Sequence, residues 1–204
     1  MAEPQFQENW YQDSQCRLLE STARRVASLA GDVVEIGSWE GKSTAALANA
    51  CFPDKVLAVD TWAGSFDESQ EHPSVKLARG RDVYGTFLNN MKALTQGNVV
   101  PVRMHSSEFL SSHPGRIKFC HIDGSHDYAS VKRDIEGSRR LLVDGGILCG
   151  DDFLSAHRKR ADLDGGVERA VREILPGFRH EGNFWWWINT PPGLWSRLSA
   201  HFRR

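Results

Sequence analysis

Short apolar runs alternate with amphipathic stretches along most of the chain, and no other feature limits its fold so tightly. Asp32–Ile36, Lys55–Val59, Val99–Met104, Ile117–Ile122 and Ile147–Gly150 read as strands. Cys16–Leu29, Ser43–Cys51, Val83–Leu94, Ser130–Leu142 and Gly166–Leu175 carry helical spacing; in the first, Leu18, Leu19, Ala23, Val26 and Leu29 share one face. Strands separated by helices pair in parallel, with the helices covering both faces of the sheet. Phe178–His180 and Phe184–Asn189 flank Glu181-Gly182-Asn183 and read as a terminal antiparallel hairpin. The expectation is a single α/β domain over residues 1–204: a doubly wound sheet, mostly parallel, ending in that hairpin. From Thr61 to Asp82 the periodicity is lost. The polar, breaker-rich part at about 63–82 reads as a lid-like loop, since unstructured connections of that length are usually functional.

Composition narrows the partners. Lys+Arg number 25 and Asp+Glu 26, a net charge of −1, which argues against wholesale binding to nucleic acid or an anionic membrane. The longest apolar run, Phe184–Ile188, is far short of the roughly 20 residues of a membrane span. Met1–Ser14 lacks the apolar stretch of a secretory signal. The reading is a soluble, cytoplasmic protein. Cys16, Cys51, Cys120 and Cys149 are widely spaced and read as small buried thiols, not a disulfide or zinc framework.

In open parallel sheets, ligands bind beyond the carboxyl ends of the strands. Here nearly every strand delivers an acid to that rim: Glu35, Asp60, Glu108 shortly after the third strand, Asp123, and the pair Asp151-Asp152. Gly37 and Gly41 let backbone approach a ligand, although the spacing is neither a dinucleotide fingerprint nor a phosphate loop, where Ile36 stands in place of the required glycine. Asp60 occupies the place of an acid that binds a ribose diol; its other role is a cap or a solvated loop carboxylate. Asp123, Asp151 and Asp152 fall on adjacent strands. They either share a cation or cap the following elements, and the convergence of three acids favours the cation. An all-oxygen site suits Mg²⁺, Ca²⁺ or Mn²⁺, with Mg²⁺ foremost. His126 lies three residues past Asp123, where an imidazole is placed for proton abstraction, whereas His113, His180 and His201 read as ordinary surface. His72 and His157 flank the rim.

Val34-Glu-Ile-Gly-Ser-Trp-Glu-Gly-Lys-Ser-Thr, Ala58-Val-Asp-Thr-Trp-Ala-Gly, Ile122-Asp-Gly-Ser-His-Asp-Tyr and Gly145-Gly-Ile-Leu-Cys-Gly-Asp-Asp resemble class I S-adenosylmethionine-dependent methyltransferases, which have a Rossmann-like sheet. More narrowly, they look like the metal-dependent, macrocin O-methyltransferase-like enzymes that act on sugar hydroxyls, including the mycobacterial methylmannose type. The resemblance implies that Glu35, Gly37, Ser38 and Ser43 surround the methionine part of S-adenosylmethionine. It implies that Asp60 holds the ribose hydroxyls with Trp62 bordering, and that Ser107 and Glu108 lie near adenine. Asp123, Asp151 and Asp152 match the metal ligands and His126 the general base. Asp152 stands where catechol-type relatives carry Asn.

The implied activity is methylation of a hydroxyl on a saccharide or other hydroxylated small molecule. The alternatives are a catechol or small vicinal diol as acceptor, a non-catalytic cofactor-binding protein, or the hydroxylase label attached to distant relatives. Trp62, Phe66 and Tyr84 are candidates for stacking on a sugar, and Trp185-Trp186-Trp187 for core or homodimer packing.

Overall fold

The computed structural model describes residues 4–8, 10–65, 72–155, 159 and 165–190. Seven strands form one sheet in the order β3-β2-β1-β4-β5-β7-β6: β1 (Asp32–Ile36), β2 (Val56–Asp60), β3 (Val99–Arg103), β4 (Ile117–Ile122), β5 (Leu142–Gly150), β6 (Arg179–Glu181) and β7 (Phe184–Ile188). The first five are parallel, and β7 pairs antiparallel with both β5 and β6. This is the predicted doubly wound sheet with its C-terminal hairpin.

The helices are α1 (Asp13–Arg24), α2 (Lys42–Cys51), α3 (Pro73–Gly80), α4 (Val83–Leu94), α5 (Ser106–Ser112), α6 (Tyr128–Leu141) and α7 (Gly166–Ile174). They cover the sheet on both faces. One face carries a core built around Ile117, Cys120, Ile135, Leu142, Leu148 and Trp185; the other is built around Leu19, Val33, Leu47, Val56, Phe119 and Phe184. β4 gives Ile117, Cys120 and Ile122 to the first core and Phe119 to the second, and all six of its side chains are buried, Lys118 and His121 included. Trp185 is fully buried, while Trp186 and Trp187 are partly covered. No helix among the described residues is long and apolar enough to cross a membrane.

Two helices depart from expectation. The stretch read as loop contains α3, where Pro73 takes the first helical position and the His72 ring nitrogen accepts from the Ser74 amide. Proline there is pre-organised for a helix rather than disruptive. The short α5 is capped by His105 in the same way and hides in a serine-rich segment. The fifth strand starts earlier than its apolar run, at Leu142, and so takes in Gly145-Gly146. This glycine pair lies at the irregularity where the register with β4 shifts, and Gly145 takes φ +77°.

The chain runs outward from β1 through β2 to β3, then returns to place β4 on the other side of β1. The strand order therefore reverses between β1 and β4, and a crevice opens at their carboxyl ends.

Candidate active site

A cleft of about 340 Å³ lies at that crevice. Gly37, Ser38, Ser43, Asp60, Asp123, His126, Asp151 and Asp152 all line it. The loop after β1 forms its floor. Gly37 has φ +85°, and a Cβ there would stand 2.1 Å from the Asp123 carbonyl oxygen. At Gly41 a Cβ would meet Met91 and Phe87 of α4. Both glycines are thus required first by close packing within the protein, and only through that by a ligand.

Asp60 ends β2 and organises the loop after β1. Its Oδ2 accepts from the Trp39 amide at 2.8 Å and its Oδ1 from the Trp62 amide at 2.6 Å. The Trp62 indole N–H in turn donates to the Trp39 carbonyl at 2.8 Å. Trp39 and Trp62 both occupy the left-handed region (φ +46° and +52°), which costs a non-glycine residue roughly 1–2 kcal/mol. Asp60 offsets that strain. A carboxylate has about four lone-pair sites, so Asp60 keeps capacity to accept from a hydroxyl in the cleft.

At the carboxyl ends of β4 and β5, Asp123, His126 and Asp152 each offer a ligand atom, all within 4.8 Å of one another. His126 Nε2 lies 2.8 Å from Asp152 Oδ2. Asp152 reaches this position because it too turns left-handed, at φ +64°. Asp151 is not one of this trio but lines the same cleft, near enough for its charge to act on Asp123. Its Oδ2 accepts from Gln15 Nε2, and its Oδ1 is buried without a hydrogen-bond partner among the described residues.

Burial, and next the charge of Asp151, pushes Asp123 up to about 8. Burial also raises Asp151, with Asp152 the second cause, and raises Asp60 against its amide donors. These shifts fix the sign of a pH dependence. The folded protein without metal holds protons that the unfolded chain releases near the ordinary value of 3.8. The stability this provides is complete below that pH and is lost as pH rises toward about 8. Urea midpoints in EDTA are expected to fall across this window.

Four predicted residues lie away from the cleft wall. Glu35 is fully buried beneath the floor, accepting from Ser38 Oγ at 2.9 Å and from Thr44 Oγ1, with His121 Nδ1 at 3.2 Å. Trp62 is 4% exposed and packs against Tyr84 and Phe87, away from the cleft. Ser107 and Glu108 belong to the first turn of α5, while their neighbours His105 and Ser106 line the cleft. Phe66 and His157 lie outside the described residues.

The sequence reading missed the N-terminal segment, which supplies Phe6, Glu8, Trp10 and Tyr11 to the cleft wall. Tyr11 Oη lies 3.3 Å from His121 Nε2, on the far side of the imidazole from Glu35. The Gln7 amide donates to Glu40 at 2.8 Å, and Arg81 pairs with both Glu8 and Glu40. Glu40 is almost wholly buried, so Arg81→Met would leave its charge uncompensated. The expected cost is about 3 kcal/mol in urea unfolding, with faster hydrogen exchange over residues 5–8.

A family model described as "Methyltransferase domain" matches residues 34–153, the span that holds the loop after β1, Asp60, Asp123, His126 and Asp151-Asp152. The chain belongs to this family. It is an S-adenosylmethionine-dependent methyltransferase, as the motifs implied. No curated protein matches it in sequence.

Solved structures share the methyltransferase's fold at low identity. The O-methyltransferase NovP is 18% identical with a TM-score of 0.64, covering 87% of this chain and 80% of its own. Cofactor-bound Rv0187 from MTB is 17% identical with a TM-score of 0.66, covering 91% and 84%. CalS11, described as a TDP-rhamnose 3'-O-methyltransferase, is 15% identical with a TM-score of 0.56, covering 87% and 80%.

Proposed function

We propose that this methyltransferase transfers the methyl group of S-adenosylmethionine to a hydroxyl oxygen of a saccharide, with a divalent cation and a histidine base assisting. The observation that carries the reading is the convergence of Asp123, His126 and Asp152, with ligand atoms within 4.8 Å, beside the cleft. Two features support the cation: an Asp151 oxygen buried with no hydrogen-bond partner among the described residues, and an Asp123 carboxyl pushed up to about 8 by burial and by the Asp151 charge.

Asp123, Asp151 and Asp152 would hold the cation, and Mg²⁺ suits carboxylate oxygens. Bound there, it supplies Lewis-acid chemistry that lowers the pKa of an acceptor hydroxyl. His126 takes the hydroxyl proton, oriented by its 2.8 Å contact with Asp152. Asp60 accepts hydrogen bonds from the ribose diol of the methyl donor, and Gly37 and Ser38 run alongside the donor's amino-acid end. Phe6, Trp10 and Tyr11 add aromatic surface to the cleft wall against which an acceptor could lie.

The saccharide is favoured over a catechol by Asp152, which replaces the Asn of catechol-type relatives. The hydroxyl chemistry has parallels in the fold neighbours NovP and CalS11, the latter described as acting on TDP-rhamnose. The test is a panel of nucleotide sugars, free oligosaccharides and catechols incubated with S-adenosylmethionine, with mass spectrometry of the products. A gain of 14 Da per transfer on a sugar hydroxyl is expected, 14 being about one CH₂ by simple mass balance. Turnover confined to catechols, or to amines, contradicts the reading.

A further inference from the structure

The N-terminal segment touches the acidic rim through Gln15, in the first turn of α1. Gln15 Oε1 accepts from the Gln12 amide at 2.6 Å, part of the capping box that starts the helix. An amide whose oxygen is engaged in this way turns its Nε2 outward, and that nitrogen donates to Asp151 Oδ2 across 136 positions of sequence. Asp151 is held from a second side as well, because the Trp185 indole N–H donates to its carbonyl oxygen at 3.2 Å. The residue is 5% exposed, and its remaining oxygen, Oδ1, is buried with no hydrogen-bond partner among the described residues. An unsatisfied buried carboxylate oxygen is costly unless a ligand completes it.

We infer that Gln15 is a positioning residue for the metal: by engaging Oδ2 of Asp151 it leaves Oδ1 as the atom presented to the cation. The inference rests on the cation reading above and assigns a role to α1, which lies outside the matched residues 34–153. It also explains why a residue so far from β5 in sequence meets an acid at its tip. A hydrogen bond behind a ligand fixes its orientation, and losing such a partner typically weakens metal affinity about 10- to 100-fold.

The test titrates Mn²⁺ alone into the full-length, metal-free protein, following free Mn²⁺ by electron paramagnetic resonance. Gln15→Met keeps the side chain's bulk without its donor, and Gln15→Ala removes both. Both are expected to bind Mn²⁺ about 10- to 100-fold more weakly than wild type. Their methyl transfer recovers to the wild-type kcat at saturating Mg²⁺, with the KM for S-adenosylmethionine unchanged. A role confined to capping α1 lowers the urea midpoint in EDTA and leaves Mn²⁺ affinity alone; that pattern overturns the inference. Wild type and Gln15→Met binding Mn²⁺ equally also overturns it, with the cation reading intact. A wild-type protein that binds no Mn²⁺ brings down the cation reading and the role of Gln15 together.

Discussion

Asp123→Asn is expected to lower kcat/KM for methyl transfer roughly 100- to 1,000-fold while making the metal-free protein more stable. The two effects share one cause. Asp123 is buried at the end of β4, where desolvation and the Asp151 charge push its carboxyl up to about 8. The folded protein without metal therefore carries a group that resists ionising, and a neutral amide of the same shape removes that burden at pH 8. The ionised carboxylate is also what would bind a cation, and metal assistance is worth several kcal/mol, about tenfold in rate for each 1.36 kcal/mol. Steady-state kinetics and urea unfolding in EDTA, measured on one preparation, check both. A variant that keeps its activity, or one that loses stability in EDTA at pH 8, contradicts the role given to this residue.

Gly37→Ala is expected to be among the most damaging single substitutions, costing about 3–5 kcal/mol. Its backbone sits at φ +85°, and the added Cβ would lie 2.1 Å from the carbonyl oxygen of Asp123 and 2.7 Å from Cα of Gly124. These are backbone atoms, so no side chain can swing aside. The Asp123 amide donates to the Ile36 carbonyl at 2.8 Å and the Gly37 amide to the Val59 carbonyl at 2.9 Å. Relief of the clash must therefore disturb the junction of β1, β2 and β4. Chemical denaturation gives the loss of stability, and cofactor binding is lost with it. At Gly97, which also has a positive φ, an added Cβ meets no atom within 4 Å; alanine there carries only the cost of the left-handed backbone, roughly 1 kcal/mol.

The fold was legible in the sequence because its signals are local. Five apolar strands, the helices α1, α2, α4, α6 and α7, and the terminal hairpin each announce themselves by periodicity over a few residues. The acids at the strand ends followed from topology, and the cleft gathers Asp60, Asp123, His126, Asp151 and Asp152. What escaped was set by long-range contact. Tyr11 meets His121 across 110 positions and Gln15 meets Asp151 across 136, and neither pairing leaves a periodic trace in a polar N-terminal segment. His121 itself passed as one more residue of an apolar strand, although it sits opposite Glu35 in the register of β1 and β4. Trp62 read as a sugar platform from its place after β2; its left-handed backbone turns the indole inward to Trp39, Tyr84 and Phe87. Proline at the start of α3 read as a breaker because only the cap geometry at His72 shows that it is a start signal.

The most direct test of the central claim is methyl transfer from labelled S-adenosylmethionine to a saccharide acceptor. It is measured before metal removal, after dialysis against EDTA, and after Mg²⁺ is added back. The account predicts that label in the O-methylated sugar falls to background in EDTA and returns with Mg²⁺. Undiminished transfer by the EDTA-treated enzyme would contradict it.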